Sequence, residues 1–273
     1  MTAKDVGAAI NKLSKLSPLI HCITNPISIN FCANTILALS CRPMMAEHPG
    51  EVYEITYGAD ALLLNLGNIT DVRMESMKIS AKCAFGKGIP CVLDLVGTAC
   101  SELRREFAYK LLCDNKFAVI KGNYSEICAM ADKDYHSAGV DADVLLDIER
   151  TGSAALKLAK EYGCTVMASG KTDIVTDGKR MIYVYNGSPK LAKVTGTGCV
   201  LGALCACFLC VCDSFESAVY ACILLGVCGE QAENVHGLGS YAVKIIDYIS
   251  LIAEKDIEEH IRIKEVCITN EEV

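Results

Sequence analysis

Short apolar runs alternate with longer amphipathic segments through the first two thirds of the chain, and this alternation restricts the possible folds more than any other feature. Four runs end in glycine or polar residues, at residues 61–67, 89–97, 117–123 and 164–170. Segments with helical spacing separate them, at residues 73–87, 101–113 and 153–162. Continuously apolar strands joined by helices are typical of a mainly parallel sheet. The pattern therefore predicts an α/β fold with a central, mainly parallel sheet and helices on both faces.

The last third of the chain adds antiparallel strands and further helices to this plan. Residues 173–187 have the sequence DIVTDGKRMIYVYNG, in which Asp-Gly predicts a hairpin turn between two strands. Helices are predicted at about residues 199–212, 215–235 and 240–254, with a last strand within 261–268. No linker, repeat or low-complexity segment divides the sequence, so we expect one domain over residues 1–273.

Composition and charge argue against several functional classes. The net charge is −7 and no run of basic residues occurs, so we expect no nucleic-acid partner. The 17 cysteines are an odd number in a long, apolar chain that opens without a signal peptide, which favours free thiols in a reducing cytoplasm. The apolar segment 199–212 is shorter than the roughly 20 residues of a membrane-spanning helix, so we expect a buried helix and no membrane partner.

Polar residues close several predicted strands. They are Asn65 with Gly67, Asp94, Lys121 with Asn123, and Ser169 with Gly170. Ligands of open α/β sheets bind beside the carboxyl ends of the strands, so these residues predict the position of a site.

Two carboxylates follow neighbouring strand ends in this set. Asp94 and Glu126 could together hold Mg²⁺, which accepts one or two carboxylates plus phosphate oxygens and water. Lys121 would then face the phosphates. An acidic residue in the first turn of a helix is also common for purely structural reasons, and that explanation stays open for Glu126.

The segment KVTGTGC, residues 193–199, places two glycines at the start of a predicted helix. Free backbone N–H groups at Gly196 and Gly198, together with the helix dipole, would form an anion site. The same dipole would stabilise a thiolate at Cys199, so its position in the first turn predicts a lowered pKa. A glycine-rich turn with a packing cysteine is the alternative, because the glycine pattern matches neither the Walker nor the dinucleotide motif.

Other candidate residues have structural explanations. Asn30 and Asn34 are four residues apart and share a helix face. Their amides are expected to be helix caps or hydrogen-bonded core groups. His21 is expected to be structural. The pair Cys207 and Cys210 forms a C-x-x-C spacing without a second pair, and it lies in an apolar helix, so we expect no zinc site there.

Eight motifs follow one another in a fixed order along nearly the whole chain. They are HCITN (21–25), RPMMAE (42–47), LLLNLGNIT (62–70), LDLVG (93–97), IKGNYSEI (120–127), ASGKTDIVTDG (168–178), KVTGTGC (193–199) and GLGSY (237–241). Their order and spacing resemble the hydroxyethylthiazole kinase family of the ribokinase-like superfamily. The resemblance implies a ribokinase-like fold. It also implies transfer of the γ-phosphoryl group of ATP, with Mg²⁺, to the primary alcohol of 4-methyl-5-(2-hydroxyethyl)thiazole in thiamine biosynthesis and salvage. The resemblance further implies a homotrimer with substrate pockets at the subunit interfaces.

The resemblance also implies roles for individual positions on the substrate side. Met45 would contact the thiazole, with Asn25 nearby and Gly196 beside the reacting hydroxyl. Gly198 and Cys199 match the catalytic positions, and Cys199 stands where most of the superfamily has an aspartate base. An ordinary thiol is mostly protonated at neutral pH, so Cys199 either accepts the alcohol proton or only orients the hydroxyl.

On the nucleotide side, Lys121 and Ser169 match the ATP-contacting positions, and Asp94 and Glu126 match the acidic residues near magnesium. One departure from the family pattern is Leu95, which replaces a proline and so removes the fixed φ angle after the acidic residue.

Two alternative functions remain open from the sequence. The first is another small-alcohol kinase of the same superfamily, acting on a hydroxymethylpyrimidine or a sugar. The second is a ligand-binding relative without catalysis. The complete set of site residues argues against the second alternative.

Overall fold

The structure is a computed structural model that describes residues 1–132 and 148–268. The strands in these ranges are β1 (Leu19–Ile23), β2 (Arg42–Met44), β3 (Ala61–Asn65), β4 (Cys91–Asp94), β5 (Val119–Asn123), β6 (Thr165–Ser169), β7 (Asp173–Thr176), β8 (Met181–Val184) and β9 (Ile263–Val266). The helices are α1 (Ala3–Leu16), α2 (Ile29–Ala38), α3 (Val52–Tyr57), α4 (Asp71–Lys87), α5 (Glu102–Asp114), α6 (Tyr124–Ala131), α7 (Ile148–Tyr162), α8 (Thr197–Phe208), α9 (Ser214–Gln231), α10 (Leu238–Leu251) and α11 (Glu254–His260).

The described strands form one sheet with the order β2-β1-β3-β4-β5-β6-β7-β8-β9. Strands β2 to β6 in this order run parallel, and the pairs from β6 to β9 are antiparallel. The four apolar runs are strands β3 to β6, the hairpin is β7 and β8, and the last predicted strand is β9, so these predictions are confirmed. The predicted turn contains Gly178, whose φ of 87° suits glycine.

Helices cover both faces of the sheet, as predicted. Alternate residues of β3 enter different cores: Leu63 packs with residues of α1, α2, α8 and α9, whereas Leu62 and Leu64 pack with residues of α4 to α7. Parallel strands that are buried on both faces are continuously apolar, which is the pattern of the sequence. The fold is therefore the α/β fold with a central, mainly parallel sheet that the sequence predicts.

Helix α8 is apolar on every side because it is surrounded by protein. Its residues from Cys199 to Phe208 are all buried, and they pack between the sheet and α9. A helix that is hydrophobic all round is typical of such a central position. None of the helices in the described ranges combines the length and apolar character that a membrane crossing needs. All 17 cysteines have free thiols, and most of them are buried.

Candidate active site

The register of the central strands places three polar residues side by side. Asn65 is paired with Asp94, and Asp94 is paired with Lys121, across the parallel strands β3, β4 and β5. Residues in register on neighbouring strands project from the same face of a sheet. All three side chains are buried, on the face that packs against α8. The carboxyl ends of these strands thus build a polar cluster beneath the start of that helix.

Asp94 and Lys121 form an ion pair inside this cluster. The Lys121 Nζ lies 3.0 Å from Asp94 Oδ1, and the two side chains are 4% and 0% exposed. Burial raises the pKa of Asp94, and the Lys121 ammonium opposes that rise. Burial also disfavours the ammonium, but the negative charges of Asp94 and Glu126 outweigh it and raise the pKa of Lys121. A fixed positive charge therefore lies beneath the start of α8.

Amide groups connect the ion pair to the thiol of Cys199. Asn65 Nδ2 donates to Asp94 Oδ2 at 2.6 Å and lies 3.3 Å from Cys199 Sγ. Asn25 Nδ2 donates to Asn65 Oδ1 at 3.2 Å and also lies 3.3 Å from Cys199 Sγ. The network thus joins residues that the sequence places up to 174 positions apart.

Cys199 lies in the first turn of α8, but its pKa moves opposite to the sequence-based expectation. Burial and the nearby charge of Asp94 raise the pKa of Cys199, and the favourable effects of Lys121 and the hydrogen bond from Asn25 do not compensate. The expectation of a lowered pKa was wrong because it considered the helix dipole alone. At neutral pH the group is a thiol, which suits a residue that orients a hydroxyl.

The start of α8 presents free backbone donors. Gly196 precedes the helix with a φ of 93°, a conformation that favours glycine. Within the described part of the chain, the backbone N–H groups of Gly198 and Cys199 donate to no other residue. A Cβ atom on Gly198 would lie 3.2 Å from Lys121 Nζ. Two free amides therefore begin a helix whose Gly198 lies close to a buried ammonium, and free amides at a helix start are suited to binding an anion.

Glu126 begins α6 beside the same site. Its carboxylate accepts from the backbone N–H of Gly97 at 2.8 Å and of Asn123 at 2.7 Å, and the Asn123 side chain accepts from the Glu126 N–H. Burial raises the pKa of Glu126 to about 7, and Lys121 and the backbone donors limit the rise. The residue therefore has the structural role of a helix cap, and its role as a metal ligand stays a prediction.

Met45 lies at one end of the row of strand termini. It directly follows β2, is half-buried and packs against the core that contains α8. The segment after it is held from two sides. His21 Nε2 lies 2.9 Å from the Ala46 carbonyl oxygen, and Arg73 binds both carboxylate oxygens of Glu47, at 2.8 and 3.1 Å. His21 therefore has the structural role that the sequence predicts.

Ser169 lies at the other end of the parallel strands. It closes β6 in register with Asn123, and its hydroxyl donates to the Gly122 carbonyl oxygen at 3.3 Å. The following Gly170 approaches Tyr124 so closely that a Cβ atom would lie 2.6 Å from the ring. In the sheet, β2 and β6 are separated by five strand spacings of about 4.8 Å, so Met45 and Ser169 lie about 24 Å apart. The polar cluster lies between these ends.

The structure brings together most of the residues that the sequence singles out. Asn25, Asp94, Lys121 and Cys199 are joined by the contacts above, and Gly198 lies against the ammonium. Met45 and Ser169 lie away from this cluster, on opposite sides. Asn65 connects the cluster, although the sequence identified it only as a polar strand end. In the sequence it is visible as an amide residue directly after three leucines, residues 62–64.

Comparisons with known proteins agree on one family. The model of the hydroxyethylthiazole kinase family matches residues 10–255. Hydroxyethylthiazole kinase 2 of Clostridium botulinum (strain Kyoto / Type A2) is 42% identical over 90% of this chain and 95% of its own length. Hydroxyethylthiazole kinase of Thermoanaerobacter sp. (strain X514) is 40% identical over 90% of this chain and 95% of its own.

Solved structures agree as well. A hydroxyethylthiazole kinase protein from Pyrococcus horikoshii OT3 has a TM-score of 0.89 and 32% identity, over 96% of this chain and 99% of its own. A pyridoxal kinase from Staphylococcus aureus, in complex with AMP-PCP and pyridoxal, has a TM-score of 0.66 at 15% identity, over 92% of this chain and 98% of its own. The second likeness concerns the fold alone. From the family model, the sequence relatives and the first structure, this chain belongs to the hydroxyethylthiazole kinase family.

Proposed function

We propose that the protein transfers the γ-phosphoryl group of ATP to the primary alcohol of 4-methyl-5-(2-hydroxyethyl)thiazole, in thiamine biosynthesis or salvage. The observation that carries this proposal is the start of α8, where the free amides of Gly198 and Cys199 lie over the buried pair of Lys121 and Asp94. Phosphoryl transfer depends mainly on positioning and on stabilisation of charge on the transferred group. Free amides and a fixed ammonium supply that stabilisation without reorganisation.

Some of the site residues would bind the transferred phosphoryl group, and others would bind the acceptor alcohol. The amides of Gly198 and Cys199 would bind the transferred phosphoryl group, and Lys121 would balance its charge. The thiol of Cys199 would orient the alcohol, since its raised pKa makes it a weak proton acceptor at neutral pH. Met45 and Asn25 would hold the thiazole on one side, with Gly196 beside the hydroxyl.

ATP would bind over the carboxyl ends of β5 and β6, where Ser169 closes the second of these strands. This arrangement places the nucleotide and the thiazole on opposite sides of the polar cluster, so that their reacting groups meet above it. It rests on the positions of Met45 and Ser169 at the two ends of the parallel strands.

Magnesium would be held by Asp94 and Glu126. Their donor chemistry fits this ion, because both are carboxylates and Mg²⁺ prefers oxygen ligands. Among the described residues no group of three or more His, Cys, Asp or Glu side chains is arranged to hold a metal ion. That agrees with the usual Mg²⁺ coordination in kinases, which one or two carboxylates share with water and substrate phosphates. The ion would neutralise charge on the phosphates.

We also propose that residues 1–273 form a single kinase domain that acts as a cytoplasmic homotrimer. The single domain is supported by one continuous sheet that includes strands from both ends of the described chain. The trimer is supported by exposed apolar side chains at or after adjacent strand ends beside the substrate side, Ile27 at 71%, Met44 at 37% and Val72 at 51% exposure. Sedimentation equilibrium would measure the mass, and a monomer would contradict the trimer.

A panel of acceptor alcohols would test the proposed activity. Release of ADP would be measured with ATP and Mg²⁺ and with the thiazole alcohol, a hydroxymethylpyrimidine, pyridoxal or ribose as acceptor. We expect the highest kcat/KM on the thiazole alcohol. A preference for one of the other alcohols would replace the substrate in this proposal, and no turnover of any acceptor would favour the ligand-binding alternative.

A further inference from the structure

The side-chain amides of Asn25 and Asn65 have a fixed direction in the network around Cys199. Asn65 Oδ1 accepts from the backbone N–H of Gly67 at 2.9 Å, and Asn25 Oδ1 accepts from the backbone N–H of Ser28 at 3.2 Å. A backbone N–H can only donate, so each of these amide oxygens is identified by its partner. Both Nδ2 groups must therefore face the interior of the cluster.

This direction determines how the sulphur is bound. The two Nδ2 groups of Asn25 and Asn65 each lie 3.3 Å from Cys199 Sγ, and an amide NH₂ group is only a donor. The sulphur is consequently an acceptor on this side. The hydrogen of the thiol is directed away from the two amides. Ser28 lies against Gly196, the residue expected beside the reacting hydroxyl.

The donors and the acceptor oxygen of the Asn65 side chain are all used within this network. One of its two N–H groups binds Asp94 Oδ2 at 2.6 Å and the other faces Cys199 Sγ, while its oxygen accepts from Asn25 and Gly67. The side chain is 0% exposed. It therefore fixes the acceptor side of the thiol and one oxygen of the carboxylate at the same time.

The absence of a side chain at Gly67 leaves the space that the two amides occupy. A Cβ atom at this position would lie 2.8 Å from both Asn25 Nδ2 and Asn65 Oδ1, and the φ angle of Gly67 is not positive. The need for glycine therefore comes from the close approach to the two amides and not from backbone strain. Any larger residue at position 67 would displace the amides of Asn25 and Asn65 without a substitution at either residue.

We propose that Asn65 is a positioning residue that acts through Cys199, holding the thiol so that its S–H group is directed to the acceptor alcohol. The inference rests on the proposed kinase function. It assigns to Asn65 an effect on the chemical step and not on the affinity for either substrate, because the side chain is buried beneath the residues that would touch them.

A double-mutant cycle tests this inference. We would measure kcat and both KM values for the wild type, Asn65→Leu, Cys199→Ala and the double variant. In the wild-type background we expect Asn65→Leu to lower kcat by about 100-fold or more, the scale reported for loss of a preorganised donor, with both KM values within about three-fold. In the Cys199→Ala background we expect the loss to be at least about ten-fold smaller.

Controls separate positioning from folding. Asn115→Leu removes a half-buried amide that caps α5 at Leu111, away from the site, and we expect it to keep the wild-type kcat. Thermal unfolding of every variant would identify those that fail to fold. Gly67→Ala serves as a second perturbation, and decides the question if Cys199→Ala is too slow to measure. We expect it to lower kcat and to leave KM for ATP nearly unchanged, whereas displacement of Asn25 would also raise KM for the alcohol.

The outcomes are distinct from failure of the proposed function. A wild type that does not phosphorylate the thiazole alcohol would overturn that function before any variant is compared. With an active wild type, equal losses from Asn65→Leu in both backgrounds would overturn the inference. A folded Gly67→Ala variant with the wild-type kcat would also overturn it.

Discussion

Replacement of Gly198 perturbs the free amides and the buried ammonium together. In Gly198→Ala, the new Cβ would lie 3.2 Å from Lys121 Nζ, short of the roughly 3.5 Å of an ordinary contact. The ammonium would have to move by a few tenths of an ångström within an ion pair that is now 3.0 Å long. In Gly198→Val, the two methyl groups extend about 1.5 Å further and crowd the helix start itself.

The magnitude follows from these distances. A misplacement of about 1 Å in an active site costs about 100-fold in rate, and loss of one preorganised donor costs about 100- to 1,000-fold in kcat. We therefore expect about ten-fold loss of kcat for Gly198→Ala and at least about 100-fold for Gly198→Val. Neither substitution strains the backbone, because the φ angle of Gly198 is not positive. Both variants should fold.

Steady-state kinetics on the thiazole alcohol, together with thermal unfolding by circular dichroism, would test this prediction. Gly86→Ala is a matched control, since it is also a helical glycine and a Cβ there would meet nothing within 4 Å. We expect the control to gain about 0.5–1 kcal/mol of stability and keep the wild-type kcat. A folded Gly198→Val variant with near wild-type kcat would refute the assignment of the anion site.

Three further predictions concern the surroundings of the site. Lys121→Met would leave the buried carboxylate of Asp94 unpaired and should lower the free energy of unfolding by about 3–5 kcal/mol in urea denaturation; an unchanged midpoint would show that the pair is not needed. Arg73→Met would release Glu47, which follows the segment proposed to contact the thiazole, and should raise KM for the alcohol several-fold without changing KM for ATP; equal changes in both KM values would contradict this. Burial lowers the pKa of His21, so the unfolded chain binds its proton first and the wild type should lose stability as the pH falls below about 6.5. In His21→Gln, urea midpoints between pH 7 and pH 5 should fall less steeply, and an equal slope would mean that another group is responsible.

The central strands could be predicted from sequence because burial on both faces makes them continuously apolar. Strands β1 and β2 were not predicted, for a different reason in each case. The sequence of β1, LIHCI, contains a histidine that is buried only because Thr56 and Ala46 satisfy its two nitrogens. The three residues of β2 include a proline and an exposed methionine, so no apolar run marks the strand.

The individual site residues could also be predicted, but not the way in which they act on one another. Asp94 and Lys121 were visible as polar strand ends, yet their ion pair depends on register between strands 27 residues apart. The pKa of Cys199 depends on its burial and on the charge of Asp94, which its position in the first turn of a helix does not reveal. Asn65 was visible as a polar strand end, but its role was not, since three of its four hydrogen-bond partners come from other parts of the chain.

The most direct test of this account follows the γ-phosphoryl group itself. Wild-type protein would be incubated with Mg²⁺, ATP labelled in the γ-phosphate and the thiazole alcohol, with Gly198→Val in parallel. We predict that the label appears in the phosphoester of the alcohol for the wild type and is nearly absent for the variant. Label that remains in ATP, or is released as inorganic phosphate whether or not the alcohol is present, would contradict the account.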